Sequence, residues 1–342
     1  MANYKDLFYG QLGIETAYGC DAAPTLKLMG LESLEIVPVR ETTQNNVLDG
    51  RMAPSATLVR TKHYGTAQIS SKLVYEDSGL WLDGAFGAAA STAVAACTTD
   101  ATGVQRIYAA PLATYNTDAA ALPMYTLIYG DTQTTATDSF VYSLISGQVG
   151  SFSISGEVGS PSMIEVSLFG QDVEADALDA TKVDRDVSFV MGDHWKLWID
   201  PDTDAAGTTG CSDVAFKFNL QVNCNRTPMW HLGSITPDSF YDLGWDGTLD
   251  LTIQLGVAAK AIVTSLLAST PVRKVVRLKA TSSSNSFQID FNGALLEAPT
   301  MWTDQDGIAT IEMSLTGVYG ATLGNWLKIT THNGVSAHST ML

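Results

Sequence analysis

The chain has 342 residues with 36 acids against 19 bases, a formal net charge of −17, and 16 % charged against 45 % apolar side chains. So little charge with so much apolar surface marks a folded chain, and the acid excess argues against gripping phosphates with clustered Lys and Arg. Its length suits two domains or one large β unit, while 29 glycines and 11 prolines are an ordinary share that excludes collagen-like or low-complexity sequence.

Met1 to Asp6 carry no apolar core and no small-residue cleavage site, so no secretory signal is expected. Taken in chain order, Leu34-Glu-Ile36 opens the two-residue alternation of a half-buried strand, followed by a helix predicted over Ser78 to Ala90. The small and apolar stretch Gly84 to Cys97 is too short to cross a bilayer, and no membrane partner is expected. Alternation returns at Phe216–Val222, Leu249–Leu255 and Ile311–Leu315, with turns at Asp49-Gly50, Asp246-Gly247 and Asp306-Gly307. A second helix is predicted over Val257 to Ser269, where Ala259, Ile262, Val263 and Leu266 share one face. Cys20, Cys97, Cys211 and Cys224 match no zinc spacing and read as free thiols.

The chain repeats itself. Phe140 to Gly170 aligns without a gap on Phe287 to Gly317, and both end in Ile-Glu-[Val/Met]-Ser-Leu-x-Gly, identical at five of seven positions. Upstream, Val47 to Pro54 parallels Trp230 to Pro237, and Gly65 to Ile69 parallels Gly247 to Leu251. Three matches in one order predict two homologous units. Expected boundaries are an arm over 1–24, a first unit over 25–180 with an insertion at about 94–123, a connector over 181–212, and a second unit over 213–342. The fold class expected is mainly β: two tandem sandwich or half-barrel units, each with one flanking α-helix.

Catalytic chemistry is not visible. His63, His194, His231, His332 and His338 are scattered, and no nucleophile elbow, phosphate loop or dinucleotide fingerprint occurs, so neither an enzyme nor a cofactor is expected. Asp200, Asp202 and Asp204 have the alternating oxygens calcium favours, but the glycine falls late at 207 and the closing position is Cys211, so a solvated turn is the expectation. Trp195 and Trp198 suit a sugar or base platform, yet an aromatic connector packed across two sandwiches explains them more simply.

From Ile107 to Thr181 there are 75 residues with nine acids and no base. A solvated acidic face is one account of them. The repeat gives a sharper one: alternation buries Ile164, Val166 and Leu168 and turns Glu165 and Ser167 to the opposite face, as it does Glu312 and Ser314 in the second copy. In a ring these would form an acidic band, with Glu157 a further candidate.

Several segments bear a family resemblance. Gly13-Ile-Glu-Thr-Ala-Tyr-Gly19, Ala23-Pro24, Leu34-Glu-Ile-Val-Pro38, Leu48-Asp-Gly50, Gly65 to Tyr75, Ser78-Gly-Leu-Trp-Leu82 and Ala85-Phe-Gly87 resemble the pattern of tail tube proteins from long non-contractile phage tails. The resemblance implies a β-sandwich with a flanking helix whose rings stack into a tube around a tape measure protein, capped by tail terminator and tail tip proteins, with DNA passing through the lumen. It places the protein in the virion tail, assembled in the host cytoplasm. Members with one fold form homohexamers and members with two form trimers of pseudo-sixfold symmetry, and the duplication selects the second. Glu157, Glu165, Ser167, Glu312 and Ser314 would then face the lumen. Stacking arms are sought in 1–24, Arg40–Lys62 and Asn223–Gly244, where ordinary surface hairpins are the other reading. Another β-rich virion protein (capsid decoration or baseplate) and a carbohydrate-binding module or hydrolase are the alternatives.

Overall fold

A computed structural model describes residues 8–44, 58–87, 91–93, 104–111, 122–131, 140–210, 215–256, 260, 264, 272–283, 285–296, 300–305 and 307–333. The chain is mainly β. The first half holds β1 (Phe8–Glu15), β2 (Leu26–Lys27), β3 (Leu31–Gln44), β4 (Leu58–Lys72), α1 (Ser78–Phe86), β5 (Ser91–Ala93), β6 (Val104–Ala109), β7 (Met124–Asp131), β8 (Val141–Glu157), β9 (Met163–Gly170) and β10 (Asp172–Ala175). The second holds β11 (Trp195–Pro201), β12 (Ala215–Asn223), β13 (Arg226–Met229), β14 (Ser239–Asp242), β15 (Asp246–Gln254), β16 (Val272–Ser282), β17 (Asn285–Leu295), β18 (Thr300–Gln305), β19 (Ile308–Gly317) and β20 (Leu327–Asn333).

Alternating side chains build one continuous antiparallel sheet in the order β3–β4–β9–β8–β12–β15–β19–β18. Its inner face carries Leu34, Ile69, Val166, Ile154, Leu220, Leu251 and Met313, all buried in the core. Two further layers back it. β2, β1, β7, the start of β8 and β10 form one, and β11, β16, β17, β20, β6 and β5 form the other. Burying one face of each sheet against the other leaves the remaining face free for other uses.

β8 belongs to both layers because it bends. Ser146, with φ of 53°, sits where pairing passes from β7 and β10 to β9. Glu15 holds the bend: its Oε1 accepts from Ser146 N at 2.6 Å and Thr126 Oγ1 at 2.8 Å, and its Oε2 accepts from Ser146 Oγ at 2.7 Å. Burial raises the Glu15 carboxyl above its usual range, although these bonds pull the other way. The bend also needs glycine nearby. A Cβ on Gly170 would lie 2.5 Å from the Ile145 carbonyl and 2.8 Å from Leu144 Cδ1. Gly170→Ala is therefore expected to cost about 1–3 kcal/mol in denaturant unfolding, the usual range for overpacking.

α1 is shorter than the predicted 78–90, because Gly87 at φ 88° ends it. Its Leu80, Trp81, Leu82 and Ala85 are all buried, and Tyr125 tethers its first turn by donating to the Leu80 carbonyl at 2.5 Å. Of the second predicted helix only Lys260 and Thr264 are described, both helical; the rest of Val257–Ser269 lies outside the described residues, as do Val47–Pro54 and Cys97 and Cys211. Of the other cysteines, Cys20 is an exposed free thiol and Cys224 a buried one.

Two placements go beyond local pattern. The connector contributes β11, which pairs with β16, and Trp195 packs on Phe218 and Phe287 at 4.7 and 6.0 Å while donating to Ser162 Oγ at 2.8 Å. The inserted segment contributes β6, which pairs with β20 from Ala109–Lys328 to Val104–Asn333. A strand from the first half thus extends the second half's sheet.

Candidate functional site

The face of the eight-stranded sheet turned away from the core carries two polar rows, flanked by Met163 on one side and by Val37 and Phe169 on the other. One register row runs Ser33, Ser70, Glu165, Ser153, Gln221, Thr248, Thr316. The next runs Glu35, Gln68, Ser167, Ser151, Asn223, Asp246. Beyond them lie Ser155, Asn219, Asp250 and Ser314, then Glu157, Lys217, Thr252, Glu312 and Thr300. All five candidates from the sequence, Glu157, Glu165, Ser167, Glu312 and Ser314, therefore share this face. β9 and β19 are four strands apart, about 19 Å at the usual strand spacing.

The alternation that placed those five also carries Glu35, Gln68, Gln221, Asp246 and Asp250 onto the same face, but only the strand order shows that they adjoin. These rows hold six carboxylates, Glu35, Glu157, Glu165, Asp246, Asp250 and Glu312, against Lys217. Gln68 Nε2 donates to Ser167 Oγ at 2.7 Å, and Ser153 Oγ reaches Glu165 Oε2 at 3.4 Å. Gln68, Ser153, Glu165, Ser167, Gln221 and Asp246 line an open groove where the two halves meet. Such a surface offers carboxylates and hydroxyls on rigid strands, without a nucleophile–base pair.

Three histidines have close polar partners within the chain. His63 sits 3.0 Å from Asp172, His231 lies 2.9 Å from Asp238, and His194 Nδ1 is 3.2 Å from the Tyr75 hydroxyl. Among the described residues no group of three or more His, Cys, Asp or Glu is placed to hold a metal ion. Asp200 is fully buried at the base of the Asp200–Gly207 turn and accepts from Gly207 N (2.7 Å), Thr208 N (3.1 Å), Thr208 Oγ1 (2.5 Å) and Thr209 N (2.7 Å). Its oxygens are already filled by the loop that follows.

Burial alone would raise the Asp200 carboxyl, but its bonds to Thr208, Thr209 and Gly207 outweigh that and hold it below the usual carboxylate range. A depressed folded-state pKa contributes stability that is present above the unfolded value and lost as pH falls through the folded one. Asp200→Asn is accordingly expected to lower the melting temperature at neutral pH. The gap to wild type should then narrow as the pH drops from about 5 to about 2.

The sequence model of the phage tail tube protein family matches residues 9–315. The chain belongs to that family. No curated protein matches it. As a tail tube protein it is a structural component of the virion tail that self-assembles into a tube with other tail components. The family is structural rather than enzymatic.

Proposed function

We propose that the chain is two fused tube folds, that three copies close into a ring of pseudo-sixfold symmetry, and that the acidic sheet face lines its lumen. The observation that carries this is strand register. In the first half β3–β4–β9–β8 repeats as β12–β15–β19–β18 in the second, and Ser153 opposite Glu165 becomes Thr300 opposite Glu312. Ile154 opposite Ile164 likewise becomes Met301 opposite Ile311. β11 then stands to β16 as β1 stands to β7, which moves the second unit's start upstream of residue 213.

Within the chain the halves already join edge to edge through β8 and β12, from Lys217–Glu157 to Asn223–Ser151. Repeating that joint between chains, β18 to β3, closes the sheet and removes both free edges. Three sheets of eight strands give a barrel of roughly 45–50 Å backbone diameter at ordinary strand spacing and tilt. A wall of carboxylates repels phosphate, so DNA slides during ejection without being held. The tape measure protein occupies the same bore before ejection, and the tail terminator and tail tip proteins close its ends. Assembly takes place in the host cytoplasm.

Stacking falls to the arms at one end of the molecule. The β13–β14 hairpin leans on the first half through Phe240 on Phe169 (4.7 Å) and Tyr18 (5.4 Å), and through the Ile235 carbonyl accepting from His63 N at 2.8 Å. Its Leu232 is fully exposed and Leu243 is 66 % exposed, apolar surface suited to the next ring. Purified protein concentrated without partners should form hollow tubes or rings in negative stain. Compact unassociated particles at every concentration would overturn the reading.

A further inference from the structure

The backing layer of the second half has the opposite charge from the lumen face. β11, β16 and β20 carry Lys196, Arg273, Lys274, Arg277, Lys279 and Lys328, six of the chain's 19 bases. Lys196 stands directly opposite Lys279, in a row that continues through Gln288 and Thr330 to Ile107. In the neighbouring row Arg277 is spent on buried Asp290, with Nε and Nη2 donating to its two oxygens at 2.6 and 3.0 Å. Among the described residues no carboxylate lies within ion-pair distance of Lys196, Lys279 or Lys328.

Like charges directly opposite across two strands destabilise the pair. Asp290 is the carboxylate of this face and Arg277 takes both of its oxygens, so in a chain with nearly two acids per base the lysines left over call for an anion from outside. The chain itself carries one that fits. Along the segment from β10 to β11, Glu174 and Asp186 are exposed without a cationic partner among the described residues, and Val183 stands 71 % exposed between them. Ile107, at the end of the lysine row, is 47 % exposed and offers Val183 an apolar partner.

We propose that the lysine face of β11, β16, β17 and β20 docks the Glu174–Asp186 segment of a second copy of this chain. The inference rests on the tube reading and names one of its subunit contacts: oppositely charged rims fix which surfaces meet and suppress wrong pairings. It also accounts for how a chain of charge −17 associates with itself, because the acid of one copy meets the segregated base of another.

The test uses the full chain and measures assembly by sedimentation and electron microscopy across protein and salt concentration. Lys196→Glu with Lys279→Glu should raise the concentration needed for assembly by about tenfold or more, as like charges now face each other. Glu174→Lys with Asp186→Lys should do the same by itself, and joining the two pairs in one chain should restore assembly. Glu174→Gln with Asp186→Gln, remote from β16, supplies a milder variant should the lysine variants misfold, and it should weaken assembly and flatten its salt dependence. Wild-type tubes with all variants assembling equally would overturn the docking contact alone. Absence of any wild-type assembly would overturn the tube reading and the contact together.

Discussion

Arg226→Ala is expected to lower the free energy of unfolding by about 3–5 kcal/mol, the cost of leaving one partner of a buried ion pair alone. The Arg226 side chain is 1 % exposed and its Nε donates to Asp242 at 2.8 Å. Nη1 donates to the carbonyls of Gly84 at 2.9 Å and Val149 at 2.8 Å, and Nη2 donates to that of Ala85. Gly84 and Ala85 are in the last turn of α1, whose carbonyls have no partner within the helix. One residue of the second half thus closes a helix end in the first and fixes β8 beside it. Lysine cannot supply the same fork, so Arg226→Lys should recover only a minor part of the loss. Denaturant midpoints of the three proteins decide it, and a loss under about 1 kcal/mol for alanine would show that the clamp is replaceable by water.

The second large effect concerns passage of DNA. Replacing Glu165 and Glu312 together by lysine should leave assembly largely intact, because both side chains are exposed on a face that makes no core contact. In a ring of three chains six carboxylates become six ammonium groups, and each ring turn then attracts phosphate. Every phosphate neutralised adds to binding and its salt dependence, so DNA should stall in the tube and infectivity fall by orders of magnitude. Virions of normal length with normal plating efficiency would remove these residues from the lumen.

Much of this face was legible before the fold was known. Two-residue alternation alone assigned Glu165, Ser167, Glu312 and Ser314 to the side opposite Ile164, Val166, Ile311 and Met313, and those four apolar residues are buried. The same rule applied to Leu249–Leu255 and Phe216–Val222 points at Asp250, Asn219 and Gln221, but adjacency of β12 to β8 leaves no local trace. β11 lies inside the expected connector, because Trp195-Lys-Leu-Trp-Ile199 alternates while its Trp residues also suit a binding platform. β6 falls in the segment expected as an insertion, since its partner β20 lies more than 200 residues away and pairing at that range has no periodic signal. The bend at Ser146 escaped for a different reason. A serine at positive φ is uncommon, and what stabilises it, the Glu15 carboxylate, is remote in sequence. The Arg226 clamp is equally invisible, because its acceptors are backbone carbonyls that any sequence supplies.

The repeat is where sequence and strand order support one another most closely. The 31-residue alignment without a gap carries Ser153 and Glu165 onto Thr300 and Glu312, and the register brings each pair face to face. A chance similarity in strand sequence has no reason to preserve the partner across the ladder as well as the residue along it.

The central claim is three chains per ring with the polar sheet face inward, and end-on electron microscopy of assembled tubes with mass measurement of released rings tests it most directly. The expected result is a near-sixfold outline with true threefold symmetry and a ring mass of about 109 kDa, three times the 36.4 kDa chain. Its inner wall should follow the β3 to β18 sheet. Six whole chains per ring, or a lumen lined by the lysine-bearing strands β11, β16 and β20, would contradict the account.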